Sequence, residues 1–198
     1  MFTDEDFEVF KDDTLAGRMT KIKTIIDPKF LSLATRLEPI FERQQVMLYP
    51  HVAKHMRRTV NPPVDTWIAF GPQKRGYKKD PHLEIGLWPH ALFVWLVVLQ
   101  EGKQNDETLI SRVVRSQSEI QGRPQLQLSN DHTTADHVVN DTEHLAVTLT
   151  QFEQHPKSEF LVGRIWSQAE LMALDANQQL AAIEATVDAV MPIYRDWL

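Results

Sequence analysis

From Ala91 to Leu99 the chain reads ALFVWLVVL, nine apolar residues without interruption. The run is far short of the roughly 20 residues that span a bilayer. As a strand it sends alternate side chains to opposite faces, so both faces must be covered. Few folds satisfy that demand, and the neighbouring segments narrow them further. Thr66 to Phe70 and His82 to Trp88 are rich in aromatic and β-branched residues and are bounded by turn formers, which predicts two more strands. Trp88-Pro89-His90-Ala91 is the tight link between the last two. Val46 to His55 reads as an earlier strand, its alternation interrupted by Pro50. Together they predict an antiparallel meander from about residue 46 to 99.

Helical patterns stand on either side. Thr3 with Asp6 is an acidic variant of the capping box, with Phe2 and Phe7 at the staple positions. Leu15, Met19, Ile22 and Ile26 follow at helical spacing. Asp27-Pro28 is expected to restart the helix, Asp as cap and Pro in the first turn, before Phe30, Leu33, Leu37 and Phe41. Beyond the meander, Leu109, Val113 and Ile120 suit one helix, and Gln125 to Ser129 a short strand. Asp141 caps a helix carrying Leu145, Leu149 and Phe152, and Phe160 to Trp166 reads as a strand. Ser167 with Glu170, then Asp175 with Gln178, are further capping boxes. The last helix carries Leu180, Ile183, Val187 and Val190, and Pro192 is expected to kink or end it. With no repeat and no long linker, the reading is one α+β domain over residues 1–198, a mainly antiparallel central sheet packed by N-terminal and C-terminal helices.

Composition limits the function classes. The 42% hydrophobic and 24% charged residues are globular values. Cysteine is absent, which excludes disulfides, thiolate metal sites and cysteine nucleophiles and fits a reducing compartment. The acidic start MFTDEDFEVFKDD lacks a signal-peptide pattern, so a cytoplasmic protein with no membrane association is expected. No glycine-rich dinucleotide loop, Walker loop or G-x-S-x-G elbow occurs among the seven glycines. The cofactor, if any, is left open by the sequence.

Charge is distributed unevenly. Between His51 and Asp80 stand Lys54, Arg57, Arg58, Lys74, Arg75, Lys78 and Lys79, opposed by Asp65 and Asp80 alone, giving +5 within a chain of net −6. Lys74, Arg75, Lys78 and Lys79 share the loop between two predicted strands with Gly76 and Tyr77. Phosphate recognition uses that mixture: Arg forks onto oxygens, Lys adds point charge, and Tyr stacks on a base. Lys54, Arg57 and Arg58 complete the site if both segments converge on one end of the sheet. Ion pairing with the 27 Asp and Glu is the plainer alternative. Asn61-Pro62-Pro63 reads as a rigid connection that holds these residues in place.

Two histidine groups are candidates for chemistry. His51 and His55 in HVAKH have the spacing of helical metal ligands, but the zinc-protease pattern needs Glu where Val52 stands, and no metal is expected there. Asp131-His132, followed by Asp136-His137, Asp141 and His144, offers acid–base groups, although such residues are also common in turns and caps. His55, Asp131 and His132 are therefore the catalytic candidates. Trp67, Trp88 and Trp95 read as core.

The chain resembles the YktB family of small uncharacterised proteins from Gram-positive bacteria. The resemblance rests on Phe2-Thr3, Asp6-Phe7 and Val9-Phe10, then HVAKH (51–55), RRTVNPP (57–63), DTW (65–67), KRGYKK (74–79), PH (81–82), IGLW (85–88) and Asp131-His132-Thr133. It implies a single α+β domain and transfers no catalytic residue. The leading functional expectation is a binding protein for nucleic acid or a nucleotide-like metabolite, using Lys54, Arg57, Arg58, Lys74, Arg75, Tyr77, Lys78 and Lys79. The alternatives are a hydrolase or transferase on a phosphorylated substrate, with His55 or the Asp131-His132 pair as acid or base, and a regulatory or scaffold protein.

Overall fold

A computed structural model describes residues 1–198. Its seven strands are β1 (Tyr49–Val52), β2 (Thr66–Gly71), β3 (His82–Trp88), β4 (Ala91–Val98), β5 (Gln127–Ser129), β6 (Val138–Val139) and β7 (Phe160–Ser167). They form one antiparallel sheet in the order β1-β2-β3-β4-β7-β5-β6. The first four are the meander that the sequence predicts, with Pro89-His90 closing the hairpin from Trp88↔Ala91 to His82↔Val97. β7 pairs with β4 and brings β5 and β6 into the same sheet. The architecture is α+β.

Nine helices flank it: α1 (Asp4–Glu8), α2 (Leu15–Lys21), α3 (Asp27–Arg43), α4 (Gln100–Asn105), α5 (Leu109–Arg115), α6 (Gln117–Gln121), α7 (Thr142–Gln154), α8 (Gln168–Met172) and α9 (Ala176–Trp197). The boxes at Ser167–Glu170 and Asp175–Gln178 form, and the Asp141 side chain accepts the His144 N–H at the start of α7. α3 packs on α9 and β1, α9 on β4 and β7, and α7 on β5 and β7.

Four local expectations need correction. Asp27 does not restart a helix: it is itself helical, and a π-turn over Ile22–Ile26 joins α2 to α3 without interruption. Pro28 lacks an N–H and its ring crowds the carbonyl four residues back, which the wider π-turn relieves. Pro192 does not end the last helix, which runs on to Trp197 with Ile193, Tyr194 and Trp197 beyond the proline fully buried. Their packing outweighs the roughly 3 kcal/mol that a helical proline costs. The helix over 109–120 is divided at Ser116, whose hydroxyl donates to the Arg112 carbonyl and accepts the Trp197 indole N–H. Strand β1 is shorter than Val46–His55, since the chain turns away at His55, in left-handed conformation with φ 49°.

The sheet has two unlike faces. Leu92, Val94, Leu96 and Val98 join a core of 40 buried residues drawn from the sheet and the helices. Phe93, Trp95, Val97 and Leu99 join eight buried residues with no helical member. Both faces of β4 are thus buried, one by helices and the other by close-set neighbours and loops. Gly86 and Gly163 make this possible. A Cβ at Gly86 would meet the Phe93 ring at 2.3 Å, and one at Gly163 the Trp95 ring at 2.9 Å. Trp88 and Trp95 are core as the sequence predicts, while Trp67 is half-buried.

Candidate functional site

Strand direction settles where the two basic segments lie. β1 runs antiparallel to β2, with Tyr49 opposite Gly71 and Val52 opposite Ile68. The loop 72–81 therefore leaves β2 at one end and the loop 53–65 enters it at the other. Their backbones do not converge on one sheet end, which corrects that expectation. None of the seven cations in these loops forms an ion pair, so the acids elsewhere do not account for them.

The hairpin loop encloses a cavity of about 750 Å³ lined by Gln73, Arg75, Gly76, Tyr77, Lys78, Lys79, Asp80 and Asn105. Gly76 takes a left-handed turn, φ 77°. Lys74 stands apart, with its ammonium 5.7 Å from the centre of the Tyr49 ring. Tyr77 does not offer a free stacking surface. Its hydroxyl accepts the Trp67 indole N–H at 2.9 Å, and its ring lies 5.3 Å from His51 and 4.8 Å from His82. Tyr77 ties the cavity to the helix-free face of the sheet.

That face holds a group of titratable residues that sequence reasoning assembled only in part. His82 is fully buried and Glu84 nearly so. The His82 Nδ1–H donates to the Asp80 carbonyl at 2.8 Å, and Nε2 lies 3.1 Å from Glu84 Oε1. With Nδ1 committed to the Asp80 carbonyl, Nε2 is the ring nitrogen turned to the Glu84 carboxyl. Glu84 is the single acid in the apolar run HLEIGLW, a signal that was legible.

His132 and Glu159 form the accessible counterpart. Glu159 Oε2 accepts both the His132 backbone N–H at 2.9 Å and its ring Nδ1–H at 2.6 Å, leaving Nε2 free. Glu159 is buried and the His132 side chain partly open. Asn130 fixes Glu159 from behind, donating to its carbonyl at 2.7 Å and accepting its N–H at 3.2 Å. Buried Lys103 clamps the preceding turn through the carbonyls of Phe152, His155 and Ser158. Nothing in the sequence around Glu159 marks it; the fold alone brings it to His132. Asp131 is a turn former, its carboxylate accepting the Thr133 N–H and O–H at 2.7 and 2.6 Å. It faces a second cavity, of about 370 Å³, shared with Asp136, His137 and His144. Asp131, His132 and Glu159 bring ligand atoms within 4.8 Å of one another.

Electrostatics joins the groups. Burial, then the Glu84 charge, pushes the Asp65 carboxyl up to about 6, against the pull of His132 and Arg58. Burial opposes the charged form of His132, but the Glu159 bond and the charges of Glu159 and Glu84 outweigh it and hold the imidazole above its ordinary value, with Lys78 working against them. Burial, with Glu84 and Asp65, keeps the Tyr77 phenol protonated. One cation from each basic segment thus acts on the group: Arg58 on Asp65, Lys78 on His132. His55 lies at the margin, bonded to the Thr66 hydroxyl at 3.2 Å and edge-on to Trp67, and burial with Arg58 lowers it to about 4. It stays neutral and is no proton carrier near pH 7. Lys54 and Arg57 point to solvent.

An antiparallel seven-stranded sheet with helices on one face and ionisable groups on the other defines the class, an α+β domain. The chain belongs to the DUF1054 family, described as a domain of unknown function, whose model matches residues 2–194. Curated relatives named UPF0637 protein include one from Levilactobacillus brevis, 43% identical over 98% of both chains. Another, from Lacticaseibacillus casei, is 36% identical over 96% of this chain and 98% of its own. That of Exiguobacterium sibiricum is 35% identical over 98% and 96%. These are uncharacterised proteins of Gram-positive bacteria, in agreement with the resemblance read from the sequence.

Proposed function

We propose that this chain binds a phosphate-bearing ligand of nucleotide size at the hairpin loop, and that it does so in the cytoplasm. The observation that carries the reading is the 750 Å³ cavity with Arg75, Lys78 and Lys79 in its wall and no carboxylate paired to any of them. Cavities of roughly 300–1,000 Å³ hold metabolites. Unpaired cations leave their attraction for a ligand, whereas paired ones have spent it. Asp80 tempers the field, and Gln73 and Asn105 add hydrogen-bonding groups. Lys54, Arg57 and Lys74 stand outside the cavity and contribute only long-range attraction, which salt screens over about 8–10 Å. The absence of cysteine agrees with a reducing compartment. No helix is long and apolar enough to cross a membrane.

The test is a thermal-shift titration with inorganic phosphate, pyrophosphate and nucleotides at low and high salt. The parent chain is expected to gain stability at low salt and lose most of the gain at high salt. A variant combining Arg75→Glu, Lys78→Glu and Lys79→Glu should unfold at the parent temperature and show no gain. Equal gains in parent and variant would sink the proposal.

A further inference from the structure

Three side chains able to ligate a metal meet beside the start of β7, two from one loop and one from another. Asp131 and His132 come from the segment that follows β5, and Glu159 directly precedes β7. Each brings one ligand atom within 4.8 Å of the other two, and no other three acidic or histidine side chains converge so closely. Glu159 is the telling member. Only 7% of it is exposed. Its Oε2 accepts both His132 donors, while Oε1 accepts no hydrogen bond from the protein and is not sealed from solvent. A deeply buried carboxylate whose second oxygen lacks a partner but can be reached is a place for a ligand.

The surroundings hold these groups in place. Asn130 fixes the Glu159 backbone on one side, and Lys103 ties down the carbonyls of His155 and Ser158 before it. Across from it, the Ser129 hydroxyl donates to the Asp136 carbonyl at 2.8 Å and closes the loop that carries Asp131 and His132. Asp131 gives Oδ1 to both Thr133 donors and keeps Oδ2 unengaged, so its turn survives while it ligates. The Asp141–His144 pair makes a similar 2.8 Å contact, but both side chains are about half exposed and no third ligand joins them.

We propose that Asp131, His132 and Glu159 form a binding site for a divalent first-row metal ion of the Zn²⁺ or Mn²⁺ kind. The ion takes the position of the proton between His132 Nδ1 and Glu159, and Asp131 closes the third side through Oδ2. His132 ligates as the neutral ring with its proton on Nε2, and any second ring proton is released to solvent. The Nδ1–Oε2 contact opens from 2.6 Å to about 3.3 Å, the ligand spacing around a tetrahedral ion with bonds of about 2.0–2.1 Å. One imidazole with two carboxylates suits such ions better than Mg²⁺ or Ca²⁺, which favour oxygen alone, and the two carboxylates balance the charge of a dication. Three protein ligands leave a further position for water. The site shares no residue with the hairpin cavity and does not depend on the phosphate reading.

The experiment strips the full chain with a chelator and titrates it calorimetrically with Zn²⁺, Mn²⁺ and Mg²⁺ in phosphate-free buffer, while nitrogen NMR follows the histidine rings. The parent is expected to bind one equivalent of Zn²⁺ or Mn²⁺ more tightly than Mg²⁺ and to unfold at a higher temperature when loaded. Zn²⁺ should shift the His132 Nδ1 resonance. Asp131→Asn and His132→Gln should each weaken binding by about 10-fold or more, at least the loss that follows removal of a ligand's supporting group. Asp131→Asn keeps an oxygen for the Thr133 turn, so its metal-free form should unfold at the parent temperature even if Glu159→Gln fails to fold. His137→Gln combined with His144→Gln, the histidines of the neighbouring cavity, should bind as the parent does. A parent that binds neither Zn²⁺ nor Mn²⁺ would overturn the site. So would binding that survives both Asp131→Asn and His132→Gln, or that is lost with His137 and His144.

Discussion

The two faces of the sheet solve opposite problems. Under the helices, Phe30, Ile68, Phe152, Phe160 and Trp197 are buried in a large apolar cluster, and stability there comes mainly from removing apolar surface from water. On the other face Trp88, Phe93 and Trp95 give way within two strands to Glu84 and His82, and the loops from both ends of β2 close over them. One face is built to stay shut. The other carries buried ionisable groups, which cost stability to desolvate.

The contrast can be broken or sharpened by substitution. Phe30→Ala should cost the most, about 3–5 kcal/mol by chemical unfolding, because it opens a cavity between packed elements. It should leave the proton affinities on the far face unchanged. Glu84→Ala should cost about 3 kcal/mol, since His82 loses its partner in a sealed site. The pair replaced together, as His82→Leu with Glu84→Leu, should be neutral or more stable. A costless Glu84→Ala would mean that water already reaches the site and that the contrast between the faces is false.

Asp65→Asn should change stability less and in the opposite direction. An Asp carboxyl titrates near 3.8 by default and near about 6 in this fold. Below both values the folded and unfolded chains hold the same proton. Between them only the folded chain keeps it, so stability falls as pH rises and levels off above about 6. The variant should match the parent below the unfolded value of 3.8 and exceed it by about 1–2 kcal/mol at pH 7, allowing for screening at a half-buried group. A parent whose stability rises through this window would reverse the assignment. The smallest effect belongs to the hairpin cations, whose combined reversal to Glu should shift stability by under about 0.5 kcal/mol.

Local patterning made most of the fold legible. Aromatic and β-branched residues between turn formers marked β2 and β3, the apolar run marked β4, and polar caps marked the starts of α7, α8 and α9. Two prolines misled because their effect is decided by context. Pro28 is absorbed by a π-turn, and Pro192 is overruled by the burial of Tyr194 and Trp197. The site was harder, since its members meet through sheet order. β7 must insert between β4 and β5 before Glu159 reaches His132, and no residue near 159 announces that. The basic loops drew attention by charge alone, yet only Arg58 and Lys78 act on the buried group. His55 looked like chemistry and is kept neutral by its surroundings.

The rim of the sheet has a consequence for crowding in the cell. Ala53 donates its N–H to the Trp67 carbonyl, so in this register His51 and Tyr49 also turn their polar groups inward, and Pro50 and Val52 turn theirs outward. At the position where the outer rim of β1 would offer a donor to a passing strand, Pro50 has no N–H to give. The opposite rim ends in β6, only two residues long. A sheet with a proline breaking the row of donors on one rim and the other rim cut short is a poor template for a neighbouring chain.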